Sequence, residues 1–143
     1  MATPYSDVHQ VFISKITAYS LLNYTYVERE ELLLPYLKSA CSKFKNVCKI
    51  DISDRDDDLQ QFNQDLDEDV IEILAIGEAY YWLSPKVLNE ENLYNMMGTK
   101  DYSIHSPANL LKELRLLRDE LKKEFKQEII NYSYINSDLS NII

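Results

Sequence analysis

Residues 106–130 read SPANLLKELRLLRDELKKEFKQEII, and this stretch decides the fold class. Large apolar side chains recur in it at steps of three and four residues, which is the repeat of one face of an α-helix. Charged side chains of both signs occupy the remaining faces, as on a solvent-exposed helical surface. Ser106 suits the N-cap, and Pro107 suits the first helical position, where no backbone N–H is needed. The apolar face consists of Leu110, Leu114, Leu117, Leu121, Phe125 and Ile129.

Two helices are predicted in the N-terminal third of the chain. Apolar residues spaced as on one helical face predict a helix over about residues 6–18, with Ser6 as its N-cap. A second helix is predicted over residues 26–44, because glutamates crowd its start and lysines its end, as the helix dipole favours. Pro35 lies inside this pattern and lacks a backbone donor, so we expect a kink or a late start there.

The middle of the chain predicts a central helix that begins at residues 67–69. This helix is apolar on nearly all sides, which indicates burial among several neighbours. Gly77 lies within it, and we expect another helix to pass close by at that position. Ser84 and Pro85 are expected to end it, because a proline disfavours helical backbone in the residue before it.

A short fourth helix and a loop are predicted between the central helix and the long one. Residues 89–97 suit the short helix, and Gly98 suits its C-terminal stop. Residues 98–105 are polar and are predicted to form a loop. The chain has 143 residues and only two glycines, a composition that favours helices over a hairpin-rich β fold.

The predicted fold class is therefore all-α. We expect a single bundle-like domain of about five helices over residues 1–131, which ends in a long C-terminal helix. Residues 132–143 contain neither proline nor glycine and little charge. We expect them to form an extended C-terminal docking tail.

The charge and the apolar pattern exclude several classes of partner. The net charge of −9 argues against general nucleic-acid binding, which needs a positive field. No apolar run approaches the roughly 20 residues of a membrane-spanning helix, and the N-terminus lacks the pattern of a signal peptide. We expect a protein made in the cytosol, with Cys41 and Cys48 reduced. A disulfide or a metal pair is the alternative, but no CxxC motif or nearby histidine favours it.

The search for catalytic chemistry finds no established motif. The GxGxxG, P-loop, GxSxG and HExxH patterns do not occur. His9 and His105 are isolated in sequence, and we expect both to be surface or capping residues. Cys41 with either histidine is the alternative as a nucleophile pair, although no spacing favours it. We predict that the protein is not an enzyme and that it uses no cofactor and no metal.

An acidic segment, residues 51–72, invites comparison with a calcium loop. Asp54, Asp56 and Asp58 alternate as calcium ligands do. Such a loop needs glycine at its sixth position and glutamate at its twelfth, where this chain has Leu59 and Asp65. We therefore interpret the segment as a solvated connection with helix-capping aspartates.

Aromatic and aliphatic residues near the C-terminus indicate contacts with other proteins. Eleven tyrosines occur in the chain, and tyrosine is favoured at interfaces because it buries a large area at modest entropic cost. The tail could add as a strand to a partner or lie in an apolar groove, and the alternative is a disordered terminus. The predicted partner-binding residues are Tyr102, Tyr132, Tyr134, Ile135, Leu139, Ile142 and Ile143.

Six short pieces of the chain together form a pattern that extends over essentially its whole length. The pieces are residues 4–8 (PYSDV), 39–44 (SACSKF), 52–56 (ISDRD), 98–102 (GTKDY), 106–114 (SPANLLKEL) and 132–134 (YSY). In this overall pattern the chain resembles the head-tail connector, or adaptor, proteins in the neck of tailed bacteriophages of Gram-positive hosts. None of the pieces is a chemical motif, so the similarity is one of overall pattern.

The resemblance implies a helical virion protein that is assembled in the host cytoplasm and forms a ring, commonly a dodecamer, beneath the portal. The C-terminal segment would reach the portal protein, and loops would meet neighbouring copies or a tail-side neck protein. DNA would pass through the ring without specific binding, which is compatible with the negative charge. We expect no membrane to be involved. The alternative is a cytosolic adaptor or regulator that binds a protein partner through the same tail.

Overall fold

The computed structural model describes residues 2–15, 26–105 and 110–136. Within these ranges the chain is mostly helical, as predicted, but it has four helices instead of five, and it also has a small sheet. The elements in chain order are β1 (Thr3–Pro4), α1 (Tyr5–Lys15), α2 (Tyr26–Phe44), β2 (Arg55–Asp56), β3 (Gln61–Phe62), α3 (Glu68–His105) and α4 (Leu110–Asn136).

The small sheet is antiparallel, with β3 between β1 and β2. Phe62 pairs with Thr3 on one side and with Arg55 on the other. The Thr3 hydroxyl donates to the Gln64 carbonyl (3.1 Å) and accepts from the Leu66 N–H (2.9 Å), so it joins the N-terminus to the connection before α3. The sheet was not predicted, because strands of two residues are too short to show an alternating apolar pattern.

Helix α3 is the centre of the domain, as its apolar character predicts. Residues 73–79 are all buried, and α3 packs against α1, α2 and α4. The close approach expected at Gly77 is also confirmed. A Cβ atom at this position would lie 2.6 Å from Cζ of Phe125 on α4 and 2.8 Å from Cβ of Ala40 on α2. Glycine is therefore the residue that lets two neighbouring helices contact the α3 backbone.

The prediction that Ser84 and Pro85 end the central helix is wrong, because α3 continues through Pro85. The Ser84 hydroxyl donates to the Tyr80 carbonyl (2.8 Å), and Leu83 and Val87 are buried on either side of the proline. Burial on both sides holds the backbone helical at a residue whose local preference opposes it. The short helix predicted over residues 89–97 is consequently the distal part of α3.

Helix α2 also contains a proline in its interior. It begins at Tyr26 and includes Pro35, so the late start that the sequence allowed does not occur. Leu33 and Leu37 are buried before and after the proline, and the Ser39 hydroxyl donates to the Pro35 carbonyl (3.1 Å). Pro35 itself is exposed, so its ring faces away from the core.

The predicted stop at Gly98 coincides with an interruption of α3. Gly98 has φ 77° and ψ 159°, a conformation that glycine adopts readily and other residues rarely do. The loop predicted over residues 98–105 is wrong, since the backbone is helical again from residue 99 to His105. Polar composition alone does not oppose a helix, and this segment contains no proline and no further glycine.

Helix α4 extends through Asn136, so residues 132–136 are helical and not an extended tail. The apolar face continues from Phe125 through Ile129 to Tyr132, and no glycine or proline intervenes to end it. Residues 137–143 lie outside the described part of the chain. None of the described helices has an apolar stretch long enough to cross a membrane.

Candidate functional site

The structure describes the side chains of three of the seven predicted partner-binding residues, and it separates them into two groups. Tyr132 is buried, whereas Tyr134 and Ile135 are each 76% exposed. Tyr102 lies on the helical backbone after Gly98, and its side chain is outside the described part. Leu139, Ile142 and Ile143 also fall outside it.

Tyr132 belongs to the hydrophobic core, which corrects its assignment to a surface that contacts partners. Its side chain is only 6% exposed, and its ring meets Phe44 edge to face, with the centroids 5.0 Å apart. The Tyr132 hydroxyl accepts a hydrogen bond from the Lys49 N–H at 3.2 Å, and Sγ of Cys48 lies 3.9 Å away. Burial raises the pKa of this phenol. Tyr132 thus attaches the end of α4 to the segment that follows α2.

Tyr134 and Ile135 extend an exposed apolar surface at the end of α4. Ile130 is exposed one turn earlier, and with Tyr134 it lines a shallow groove against Val47. This surface is available to a partner, which is what the sequence predicts for these two residues, and their role in binding stays a prediction.

A second exposed apolar surface lies on what we call the distal arm, residues 88–98 of α3 and 110–118 of α4. The two helices run antiparallel, because Gly77 lies against Phe125 while Glu91 pairs with Arg115 (Nε to Oε1, 2.9 Å). Arg118 approaches the same Glu91 oxygen at 3.9 Å. The large apolar residues exposed on this arm are Leu88, Leu93, Tyr94, Met96, Leu116 and Leu117.

A groove with an apolar floor and a basic edge lies where α2, α3 and α4 meet. We call it the lysine-rimmed groove, and its volume is about 680 Å³. Tyr81 packs edge to face against Tyr80 and Phe125 in its floor. All of its charged lining residues are lysines, although the chain carries a net charge of −9. The lining residues are Lys43, Tyr80, Tyr81, Lys122, Phe125, Lys126, Ile129 and Ile130.

Helical spacing explains how α4 builds its side of this groove. Lys122 and Lys126 are four residues apart and therefore lie on one face, and Phe125 and Ile129 form a second four-residue step beside them. Long lysine side chains can lay their methylene groups along an apolar floor while the ammonium stays in water. The groove thus offers apolar contact at its base and positive charge at its edge.

A cluster of three titratable side chains lies inside the domain, and the sequence did not reveal it. Nδ1 of His9 on α1 is 2.5 Å from Oε1 of Glu78 on α3, and Nε2 is 3.0 Å from Oε2 of Glu30 on α2. The prediction that His9 is a surface or capping residue is wrong. One available indication was Glu78 itself, a single acidic residue within the apolar run of α3.

Burial controls the electrostatics of this cluster. It raises the pKa of Glu78, and the hydrogen bond and charge of His9 oppose that rise only in part. The other Glu78 carboxylate oxygen, Oε2, has no hydrogen-bond partner among the described residues. His9, Glu30 and Glu78 are at most 3% exposed, so no substrate can reach them without local opening. We interpret the cluster as a structural connection between three helices.

The acidic segment includes the hairpin of β2 and β3, and several of its aspartates accept hydrogen bonds from nearby side-chain amides and backbone N–H groups. Asp54 accepts from the side-chain amides of Asn63 (2.8 Å) and Gln64 (2.9 Å), and both bonds lower the pKa of Asp54. Asp67 accepts from the Val70 N–H (3.0 Å) and so caps α3, as predicted. Among the described residues, no three histidine, cysteine or acidic side chains are placed to hold a metal ion.

Both cysteines are free, as predicted. Burial raises the pKa of the Cys41 thiol to about 12 and also raises that of Cys48. Because the thiolate is the reactive form, neither cysteine has the environment of a nucleophile.

Comparison with models of protein families, with curated proteins and with solved structures finds no match to this chain.

Proposed function

We propose that this chain is a structural subunit that assembles with other proteins, and specifically a component of a bacteriophage neck. In this role copies of the chain form a ring beneath the portal, connect the capsid to the tail and continue the DNA channel. The partners are the portal protein, neighbouring copies and a tail-side neck protein. The resemblance of the sequence to head-tail connectors supports the particular role.

The observation that carries the proposal is the amount of apolar side chain left exposed on a domain with a complete core. The distal arm presents six large apolar residues to solvent, and the end of α4 presents Ile130, Tyr134 and Ile135. Large exposed apolar side chains concentrated on two parts of a small domain indicate sites that bind other proteins. Two such regions suit a subunit that contacts more than one neighbour.

The charge of the chain is compatible with a wall that DNA slides past. The net charge of −9 repels phosphate groups, so a channel built from such subunits has little tendency to hold DNA in place.

Binding to a portal ring tests the proposal directly. Where a portal gene lies in the same genome as the gene of this chain, its product is purified and mixed with the full-length chain, and the mass of the complex is measured by native mass spectrometry. We expect several copies of the chain on each portal ring. No binding at micromolar concentrations would contradict the assignment to the neck.

Two variants locate the portal contact. Removing residues 137–143 leaves every described element intact, and replacing Tyr134 and Ile135 by serine removes exposed apolar area without touching the core. We expect both variants to unfold like the wild type and to bind portal more weakly. Leu32→Ser is the matched control, since it removes an exposed apolar side chain of α2 that lies outside the end of α4, the distal arm and the hairpin turn.

A cytosolic adaptor is the second candidate, and the lysine-rimmed groove favours it because such a groove could hold an acidic segment of another protein. Genes for portal and capsid proteins beside the gene of this chain would favour the neck over this alternative.

A further inference from the structure

We propose that the acidic hairpin turn of one copy, residues 56–60, docks in the lysine-rimmed groove of a neighbouring copy, with Leu59 in contact with the apolar floor. The inference rests on the proposed function, because it names the contact by which copies would associate side by side.

The turn presents an exposed leucine directly after three aspartates. Leu59 is 67% exposed, and Asp56, Asp57 and Asp58 precede it directly. Transfer of an exposed leucine side chain from water to an apolar surface is favourable, because it removes apolar area from water. Asp58 beside it would then meet a lysine at the edge of the groove, so the apolar and the charged parts of the two surfaces match.

The shape of the turn is already set in the free subunit. The Asp56 carboxylate accepts from the backbone N–H groups of Asp58 (2.9 Å) and Leu59 (3.1 Å). Gln60 has φ 53°, a left-handed conformation that few residues other than glycine adopt, and its carbonyl accepts from the Tyr5 N–H at 2.9 Å. A turn that is ordered before binding loses less conformational entropy when it docks.

The turn and the groove lie on different parts of the same subunit. The Tyr5 hydroxyl donates to Asp57 (2.7 Å), and Lys38 pairs with the other oxygen of this carboxylate (2.6 Å), so the turn is held against α1 and α2. The groove is lined by the C-terminal half of α2, by α3 and by α4, and it includes no residue of the hairpin. A subunit's own turn therefore leaves its groove open to another chain.

Charge complementarity selects a second copy as the occupant. The groove concentrates Lys43, Lys122 and Lys126 on a chain whose net charge is −9, and the hairpin concentrates negative charge beside an exposed apolar residue. Asp58 is exposed, and its carboxylate takes part in none of the bonds that fix the turn, so it can pair with a rim lysine. Contact between two different patches is heterologous, and its repetition produces a ring when the rotation closes.

The test measures self-association of the full-length chain by sedimentation at low ionic strength, alone and on a portal ring. We expect Leu59→Ser and Lys126→Glu each to weaken association at least about tenfold, the usual effect of removing a central contact. Lys123→Glu makes the same charge change on α4 outside the groove and should have a smaller effect. Added salt should weaken the wild-type contact because it screens the charges.

A mixing experiment separates this contact from a symmetric one. The Lys126→Glu chain keeps an intact turn, and the Leu59→Ser chain keeps an intact groove. An equimolar mixture should therefore form a dimer that cannot grow further, whereas each variant alone stays monomeric. If the interface were symmetric and contained both patches, the mixture would associate no more strongly than either variant alone.

The two proposals fail in different ways. If the chain forms rings on the portal and Leu59→Ser or Lys126→Glu leaves those rings unchanged, the hairpin contact is wrong and the neck function stands. If the wild type binds no portal but self-associates through these residues, the neck function is wrong and the contact stands. Wild-type chains that remain monomeric under all of these conditions would overturn the hairpin contact.

Discussion

Nδ1 of His9 lies 2.5 Å from Oε1 of Glu78, and these side chains are only 3% and 0% exposed. The imidazole ring is placed between two carboxylates, because Glu30 approaches its other nitrogen at 3.0 Å. The three residues come from α1, α2 and α3, so this cluster links the helices around which the core is built.

Replacing His9 by leucine should destabilise the fold strongly. The change leaves Glu30 and Glu78 buried without their shared partner, and breaking a buried ion pair in this way costs about 3–5 kcal/mol. Urea unfolding measures the loss. The matched control replaces all three residues by leucine, which removes the uncompensated charge and should recover most of the stability. A His9→Leu protein as stable as the wild type would contradict the role of the cluster.

Replacing Glu78 by glutamine should change how stability depends on pH. Burial raises the pKa of Glu78 in the folded protein, so the folded chain holds this proton to higher pH than the unfolded chain does. Wild-type stability should therefore fall relative to Glu78→Gln as pH rises above about 4.3, the ordinary carboxyl pKa, and level off above the raised pKa. The neighbouring titratable groups are His9, Glu30 and Cys41.

Urea unfolding of both proteins at several pH values between about 4 and 8 checks the direction of this pH dependence. This range spans the ordinary titration of carboxyl and imidazole groups. The carboxylates outside this cluster contribute equally to both proteins and cancel in the difference. A difference that grows in favour of the wild type with rising pH would contradict the raised pKa.

Tyr132 should matter for stability and Tyr134, two positions later, should not. Tyr132→Phe leaves the Lys49 N–H without its acceptor and should cost about 1 kcal/mol. Tyr132→Ala also removes the ring that packs on Phe44 and should cost about 3–5 kcal/mol. Tyr134→Ala, at a position 76% exposed, should stay within about 0.5 kcal/mol of the wild type. Denaturant midpoints that rank the three variants otherwise would place Tyr132 outside the core.

Gly77→Ala should destabilise the protein although alanine is the better helix former. Helix propensity alone predicts a gain of about 1 kcal/mol, but the new methyl group would lie 2.6 Å from Cζ of Phe125 and 2.8 Å from Cβ of Ala40. Overpacking of this kind costs about 1–3 kcal/mol. Adding Phe125→Leu to the alanine variant should restore part of the loss, which thermal unfolding would show. A more stable Gly77→Ala protein would mean that α4 can move away.

Several expectations from the sequence depended on local physics, and these hold. The apolar face of α4, the extent of α2, the cap at Asp67 and the interruption at Gly98 all follow from spacing, capping chemistry or backbone conformation. The close packing at Gly77 follows because a glycine inside an apolar helix has few other uses. Apart from the packing at Gly77, whose neighbours Phe125 and Ala40 are distant in sequence, each of these features is decided within a few residues along the chain.

The exposed apolar surface at the end of α4 was also predictable in part. Tyr134 and Ile135 were singled out as apolar residues near the C-terminus, and both are exposed. The lysine-rimmed groove was not predictable, because its lining comes from α2, α3 and α4 and no segment of the chain contains it. The sequence drew attention to Leu59 only because a calcium loop would have glycine at that position, and it did not indicate that the side chain is exposed.

The sequence by itself determined that this protein is mostly helical and that α4 is long and amphipathic, because these depend on periodicity and local backbone preference. It also indicated a close approach at Gly77, but the neighbours there, Phe125 and Ala40, are contacts of the tertiary structure. The tertiary structure alone decided three other features: the burial of Tyr132, the continuation of α3 through Pro85, and the position of His9 between two glutamates. Each of them arises from contacts between residues distant in sequence, and the free energy of those contacts outweighs the local preferences that a sequence displays.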